Sequence, residues 1–245
     1  MEWTEDLHNA LISNATPVHA SVNYINADED LQNQFDQALQ QARNTLSKAK
    51  GKPASIEEVQ GLIQSIKDTK EALNGDQRLA KAKFKAEIFI NQLKDLNNAQ
   101  RVDSIKQAND TDNLKDLSQI VSTASDLNNS MSELKAKLKE TVNPVKSSIN
   151  YINADYDLKR QFNKAVKDAR EALSKTKGAN LNERDIQGLS QAIDSTKDAL
   201  NGEQRLAEAK EKSKQFIKTN KSLYELAIAY FSNSLILNVL AILAY

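Results

Sequence analysis

The sequence has no cysteine, three prolines, six glycines, two histidines and 5% aromatic residues, and its 33 basic residues are matched by 33 acidic ones. Without cysteine there is no disulfide, no thiolate metal site and no cysteine nucleophile. That absence leaves the compartment open, because cytosolic and cell-surface proteins can each lack cysteine. A formal charge of zero removes the basic field that draws nucleic acid or an anionic membrane surface, so nucleic acid is not expected as a partner. With so little glycine and proline, and with Ala, Leu, Lys, Gln, Asp and Asn dominant, the composition favours long helices over strands. The opening MEWTEDLHNA has neither a basic n-region nor an apolar h-region, so no secretory signal is expected in it. If the protein is exported, this chain is a fragment of something longer.

What the chain does have is a repeat. NYINAD at residues 23–28 returns at 150–155, and ALNGDQRLAKAK at 72–83 returns as ALNGEQRLAEAK at 199–210. The offset is 127 residues from Tyr24 to Tyr151, from Gly51 to Gly178, from Gly61 to Gly188 and from Gly75 to Gly202, so all six glycines belong to the two copies. A fixed internal period of this kind signals an array of similar modules.

Apolar spacing predicts three helices in the first copy. The first runs from Asp28, as N-cap, to Lys50, with Leu31, Phe35, Ala38, Leu39, Ala42 and Leu46 on one stripe and Gly51 as a left-handed cap. The second starts at Ser55, with Glu58 completing a capping box, carries Ile56, Val59, Leu62, Ile66, Thr69 and Leu73, and is ended by Gly75. The third starts at Asp76 and carries Leu79, Ala82, Ala86, Ile90 and Leu93. Together they are expected to form a three-helix bundle. Gly61 sits inside the second helix at a cost of about 1 kcal/mol relative to alanine, and its recurrence as Gly188 suggests a close helix approach.

Residues 1–22 look like the end of a module, since Leu7, Leu11, Pro17 and Val18 recur as Leu134, Leu138, Pro144 and Val145. The two prolines are expected to mark module boundaries. Between the copies, Leu96-Asn97-Asn98-Ala99-Gln100 restarts a helix from an asparagine cap, and Asp110-Thr111-Asp112 interrupts it. From Asn113 to Pro144 the apolar residues step by three and four, predicting one helix of about 28 residues or, alternatively, two helices broken near Asn128-Asn129-Ser130. The second copy is expected to give helices over Asp155–Lys177, from Asn182 or Glu183 to Asn201, and from Glu203 onwards. Its match to the first copy holds to Ile217. The tail Leu223–Tyr245 carries one charge, Glu225, and admits three readings: sequence foreign to the array, an apolar docking helix, or a membrane span. Membrane contact is expected only under the last of these.

Candidates for chemistry are few. His8 and His19 are isolated near the N-terminus and have no counterpart in the second copy. Asp28-Glu29-Asp30 and Asp110-Thr111-Asp112 have the acidity of calcium loops but not the glycine that an EF-hand needs at its sixth position, and helix capping accounts for them. Tyr24 and Tyr151 are expected to pack near a module junction. No nucleophile, phosphate loop or HExxH motif is present, so an enzyme, a cofactor and a metal site are not expected, and no ligand-binding residue stands out.

The YINAD openings, the downstream Phe35/Phe162 and Ala38/Ala165, and the ALNGxQRLAxAK closures resemble the FIVAR modules of giant staphylococcal extracellular-matrix-binding surface proteins. The unit from Leu96 to Lys135, LNNAQ through LNNSMSELK, is similar to the GA-type module that alternates with FIVAR in those proteins. The resemblance covers about residues 4–217. It implies an all-α fold of tandem three-helix bundles joined by long, partly shared helices into an elongated rod. It implies a non-enzymatic, cell-wall-attached adhesin that binds fibronectin or another matrix protein and supports adhesion and biofilm formation. GA modules of other bacterial surface proteins bind albumin, but no residue carries that property across to this chain. The alternative is a structural spacer without a ligand. The expected modules are residues 1–16 (the end of a GA-type module), 17–93 (FIVAR-like), 94–143 (GA-like), 144–219 (FIVAR-like) and 220–245 (the apolar tail).

Overall fold

The computed structural model describes residues 2–48 and 54–243, with side chains from 5 to 47 and from 54 to 233; the cap expected at Gly51 lies outside the described residues. Among the described residues every regular element is a helix. In chain order these are α1 Glu2–His19, α2 Val22–Ile25, α3 Glu29–Lys48, α4 Ile56–Glu71, α5 Gly75–Gln92, α6 Asn98–Asp110, α7 Leu114–Ser147, α8 Ile149–Ile152, α9 Tyr156–Ala172, α10 Glu183–Asp198 and α11 Gly202–Leu243. Their packing sorts the chain into two compact units. The first is 1–132 with 172–183, and the second is 133–171 with 184–245.

In the first unit the bundle of the repeated block is built from α1, α3 and α4, which pack on one another pairwise. Leu7, Leu11 and Val18 of α1 share one core with Phe35, Ala38, Leu39 and Ala42 of α3 and Val59 and Ile66 of α4. This corrects the expectation that residues 1–16 close a preceding module and that the helix from Asp76 completes the bundle. The apolar stripe of α1 supplies the third wall, and α5 instead packs against α6 and α2. The expected boundaries near 17 and 93 therefore differ from the ones drawn by helix packing.

Pro17 and Pro144 do not end their helices. Each lies within the final turn, of α1 and α7 respectively. A proline there forfeits one backbone hydrogen bond close to where the helix stops, which is less disruptive than in mid-helix. The chain turns two to four residues later, where Ser21 and Ser148 accept the backbone N–H groups of Tyr24 and Tyr151 as N-caps.

The middle module uses α5, α6 and the first part of α7. Leu79, Ala86 and Ile90 of α5, Ala108 of α6, and Leu117, Ala124 and Leu127 of α7 are all buried. Asn97 caps α6, as the sequence predicts, and the structure adds a reciprocal capping box to Gln100. Of the two readings for the next segment the continuous one holds, with α7 running unbroken through 34 residues and past Asn128-Asn129-Ser130.

In the second unit Leu134, Leu138 and Val142 of α7, Phe162, Ala165, Val166 and Ala169 of α9, and Ile186 and Ile193 of α10 are buried. These occupy the repeat positions of the first bundle's core. Lys137 ties α7 to α10 through Asp194. The last helix, α11, makes contact through its first turns and is exposed from Ala207 to Phe231. Among the described residues no helix is long and apolar enough to cross a membrane. The second half of the tail, from 234, lies outside the described side chains.

Candidate functional site

The residues that the two copies share most closely meet in space. NYINAD opens the block and LNG(D/E)QR closes it, and the structure folds one onto the other as a clasp. In the first copy Asn74 Nδ2 donates to Asp28 Oδ2 at 2.6 Å, and the Asp28 backbone N–H donates to Asn74 Oδ1 at 3.0 Å. Arg78 sets Nε 3.1 Å from Asp28 Oδ1 and donates from a terminal nitrogen to the Asn26 carbonyl at 2.7 Å. Asn23 Oδ1 accepts the Asp76 backbone N–H at 3.0 Å, which satisfies one of the open donors at the start of α5.

The second copy reproduces the same bonds. Asn201 Nδ2 meets Asp155 Oδ2 at 2.6 Å, Arg205 Nε meets Asp155 Oδ1 at 3.1 Å, and Asn150 Oδ1 accepts the Glu203 N–H at 3.1 Å. At the centre of each clasp lies a glycine that tolerates no side chain. A Cβ on Gly75 would fall 2.1 Å from the Asn23 carbonyl oxygen and 2.7 Å from the Ala27 nitrogen, and one on Gly202 would meet Asn150 and Ala154 at the same distances. Gly75 therefore begins α5 against the NYINAD turn and does not end α4, which stops at Glu71. Gly61 and Gly188 are different: a Cβ at either would meet nothing within 4 Å. The close approach expected there is absent, and both glycines face open space.

The two clasps have different surroundings. Asn26 donates to the Asp112 carbonyl at 2.8 Å and accepts the Leu114 N–H at 2.8 Å, so the first clasp also caps the start of α7. Asn26 is 2% exposed. Its counterpart Asn153 is half-buried and donates to the Ile149 carbonyl within its own turn.

A second joint lies at the N-terminus of α6, within the first unit. Asn97 Nδ2 donates to the carbonyls of Ala172 at 3.2 Å and Ala179 at 2.9 Å, and Gln100 Nε2 donates to the Leu181 carbonyl at 2.9 Å. The Asn98 N–H donates to the Lys175 carbonyl at 2.9 Å, and the Lys175 ammonium donates to the carbonyls of Lys94 and Leu96. Asn97 and Gln100 are almost fully buried, so these bonds are shielded from competing water. Gly178 allows the loop to lie against Asn97, since a Cβ there would come 2.5 Å from Asn97 Nδ2. The docked loop accounts for α9 ending at Ala172, short of the expected Lys177.

His19 and Tyr24 pack within the first bundle, against Asp36 and Phe35 of α3, and not at the module junction expected for Tyr24. His19 Nε2 lies 2.6 Å from Asp36 Oδ1, Tyr24 donates its hydroxyl to Asp36 Oδ2 at 2.9 Å, and both rings meet Phe35 edge to face. Desolvation, then the hydrogen bond to Asp36 and its charge, push the Tyr24 phenol up to about 12. In the second copy Tyr151 bonds the neutral Asn163, and Lys159 approaches its ring at 5.9 Å. His8 is exposed beside a shallow groove between α1 and α3, lined by Leu11, Ile12, Arg43 and Leu46.

The acidic clusters are occupied by cations of the chain itself. Asp28 faces Arg78, Asp110 faces Lys106 at 2.5 Å and Asp112 faces Lys83 at 3.9 Å. Among the described residues no group of three or more His, Asp or Glu side chains is placed to hold a metal ion. A concave apolar surface runs between α5 and α7, about 310 Å³ in volume and lined by Ala82, Lys85, Ala86, Phe89, Leu117 and Val121. Nothing in its lining points to a reaction.

The FIVAR domain model matches residues 8–74 and 130–201, and the GA module model matches 76–130. Those spans follow the helix packing: the first FIVAR match enters on α1 and leaves before α5. The extracellular matrix-binding protein EbhA of Staphylococcus aureus (strain Newman) is 36% identical over 225 residues, which is 90% of this chain and 6% of that protein. The extracellular matrix-binding protein ebh of strain NCTC 8325 / PS 47 is also 36% identical over 225 residues, 90% of this chain and 2% of that protein. This chain thus spans a small part of the relatives it matches. The crystal structure of the EbhA 756–1003 domain from S. aureus superposes with a TM-score of 0.78 at 26% identity, covering 88% of this chain and 85% of that one. With two FIVAR domains on either side of a GA module, the chain belongs to the FIVAR–GA repeat family.

Proposed function

We propose that this chain is a repeat segment of a cell-surface adhesin that binds an extracellular-matrix protein, fibronectin in the first instance, and takes no part in catalysis. The observation that carries the reading is the 36% identity over 225 residues to proteins named as extracellular matrix-binding. Attachment to the cell wall and a part in biofilm formation follow from the same reading. A weak site repeated along such a protein gains strength through effective concentration when several copies engage one ligand network. The apolar groove between α5 and α7, with Phe89 40% exposed at its edge, offers a concave face of the kind protein ligands use. Albumin is the ligand to run in parallel, because the groove belongs to the GA module.

The test is surface plasmon resonance of the whole chain over immobilised fibronectin and, on a second channel, albumin. Saturable binding to fibronectin that weakens in Phe89→Glu supports both the ligand and the face. Binding that survives the substitution moves the face elsewhere, and a blank fibronectin channel with a tandem array of the chain overturns the ligand.

A second reading has an observation in its favour. The residues most faithfully repeated, Asn23, Asp28, Asn74, Gly75 and Arg78 with their counterparts, are engaged in the clasps. A stalk that spaces other modules needs only such joints. It would give blank binding channels with the clasps intact.

A further inference from the structure

We propose that Asn74 and Asn201 are modification sites, where spontaneous deamidation is held off by the closed clasp and, once it has occurred, keeps the clasp from closing again. Asn74-Gly75 and Asn201-Gly202 are the two Asn–Gly dipeptides of the sequence. The clasp requires both residues of each. The side chain at 74 donates to Asp28 Oδ2 and accepts the Asp28 N–H, and an amide offers a donor and an acceptor together. The residue at 75 can carry no Cβ, because the Asn23 carbonyl oxygen would lie 2.1 Å from it. Asn201 and Gly202 meet Asp155 and Asn150 in the same way. Each joint is thereby built from a pair prone to deamidate, since no Cβ hinders a glycine nitrogen.

In that reaction the Gly75 amide loses its proton to hydroxide, and its nitrogen attacks Asn74 Cγ. The Cγ–Nδ2 bond breaks, Nδ2 leaves as ammonia with a proton from water, and a five-membered succinimide closes. Water then opens the ring. Opening at Cγ leaves aspartate with the main chain intact. Opening at the main-chain carbonyl leaves isoaspartate, with the chain routed through Cγ. One water is consumed and one ammonia released, and no oxidant or cofactor is needed.

The closed clasp opposes the attack. Asn74 has ψ 12°, which nearly eclipses the Gly75 nitrogen with the nitrogen of Asn74 and holds it out of the plane that ring closure needs. Turning ψ would move Gly75, which is packed against Asn23 and Ala27, and Asp76, whose N–H is held by Asn23 Oδ1. Both ends of the Asn74 amide are also tied to Asp28. Attack therefore proceeds from an opened clasp. Afterwards a carboxylate at position 74 has no donor for Asp28 Oδ2 and sets a second negative charge beside it, and like charges oppose one another's ionisation. Isoaspartate also lengthens the backbone at the start of α5. Each reaction thus fixes an opening that would otherwise reverse.

The experiment ages the full chain in mildly alkaline buffer, folded and in urea, and follows the tryptic peptides Glu71–Arg78 and Asp198–Arg205 by mass spectrometry. Both peptides should gain acid roughly five- to thirtyfold more slowly in the folded chain, the factor that about 1–2 kcal/mol of local opening gives. Asp28→Ala, with its helix content checked by circular dichroism, should bring the first peptide near its rate in urea and leave the second slow. Asn97→Ala weakens the same unit without touching the clasp and should leave both slow; a rise there assigns the reaction to general unfolding and overturns the proposal. Equal rates in the folded and urea-treated chains overturn it, as does an Asp28→Ala chain that keeps the native rate. Asn74→Asp should melt below the native chain at neutral pH, and a variant as stable as the native chain overturns the failure to reclose.

Discussion

The guanidinium of Arg78 lies 3.1 Å from the carboxylate of Asp28, and Arg205 and Asp155 repeat the contact at the same distance. Both partners of each pair are about half exposed, so the ion pair by itself is worth about 0–1 kcal/mol. Its significance lies in its position. Arg78 and Asp28 stand at the two ends of the repeated block, and the contact joins the turn after the first bundle helix to the helix that leaves the bundle.

Within the clasp, Asn74 makes bonds in both directions to Asp28, and the removal of its side chain leaves a backbone donor and a carboxylate oxygen without them. Asn74→Ala is expected to cost about 1–2 kcal/mol. For a chain of this size that is a fall in melting temperature of roughly 2–8 °C. Asn201→Ala should cost a similar amount, because its bonds to Asp155 have matching lengths. Calorimetry of the two variants checks this, and a large difference between them would show that the clasps are not equivalent.

How much of this was legible differs from residue to residue. The stripes of α3 and α4 and the Ser55 and Asn97 caps follow from local spacing and propensity, and the sequence predicts them, whereas for α7 the spacing allows both a continuous helix and a broken one. The contribution of α1 to the first core is not legible in the sequence, because Pro17 carries the signal of a boundary. A proline in a last turn and a proline between modules give the same local signal. The clasp partners recur together in the two copies, but recurrence alone cannot say that residue 28 touches residue 78. The Asn97 loop joint was hidden for the same reason: its acceptors are backbone carbonyls at 172, 179 and 181, which carry no side-chain signature.

The glycines make the point as an experiment. Gly61, Gly75, Gly188 and Gly202 recur with equal fidelity, yet only Gly75 and Gly202 are crowded. Gly61→Ala and Gly188→Ala are expected to stabilise the chain by about 0.5–1 kcal/mol each, since both sit within helices and in open space. Gly75→Ala and Gly202→Ala should destabilise it by more than about 2 kcal/mol, because a methyl group cannot come 2.1 Å from a backbone oxygen without moving the turn. Urea denaturation of the four single variants reads both signs, and a destabilising Gly61→Ala would restore the close approach that the structure lacks.

Asn97→Ala should release the loop between α9 and α10. It leaves the carbonyls of Ala172 and Ala179 without their buried donor, and it removes the cap of α6 as well. A loss of about 1–3 kcal/mol is expected from the unsatisfied groups. Hydrogen exchange should quicken over 174–181 and in the first turn of α6, while α3 and α4 keep their protection. Asn97→Ser preserves a capping oxygen but cannot span to the loop. It is expected to restore α6 and leave the loop fast, which separates the two roles of one side chain.

Tyr24 and Tyr151 hold equivalent positions, but Tyr24 donates to a carboxylate and Tyr151 bonds an amide. Burial and Asp36 raise the Tyr24 phenol from 10.0 to about 12, so the folded chain holds this proton more tightly than the unfolded chain does. The stability linked to it is fully present below pH 10 and is lost as the pH rises through about 12, because the unfolded tyrosine ionises first. The melting temperature should therefore fall across that window, and by less in Tyr24→Phe. Absorbance titration near 295 nm should show a phenol ionising late in the native chain and missing from Tyr24→Phe. Asp36→Asn, which gives the first copy the amide found at Asn163, should bring that phenol part of the way back toward 10, since desolvation is the larger cause and remains. A late phenol that persists in Tyr24→Phe would place the raised group elsewhere.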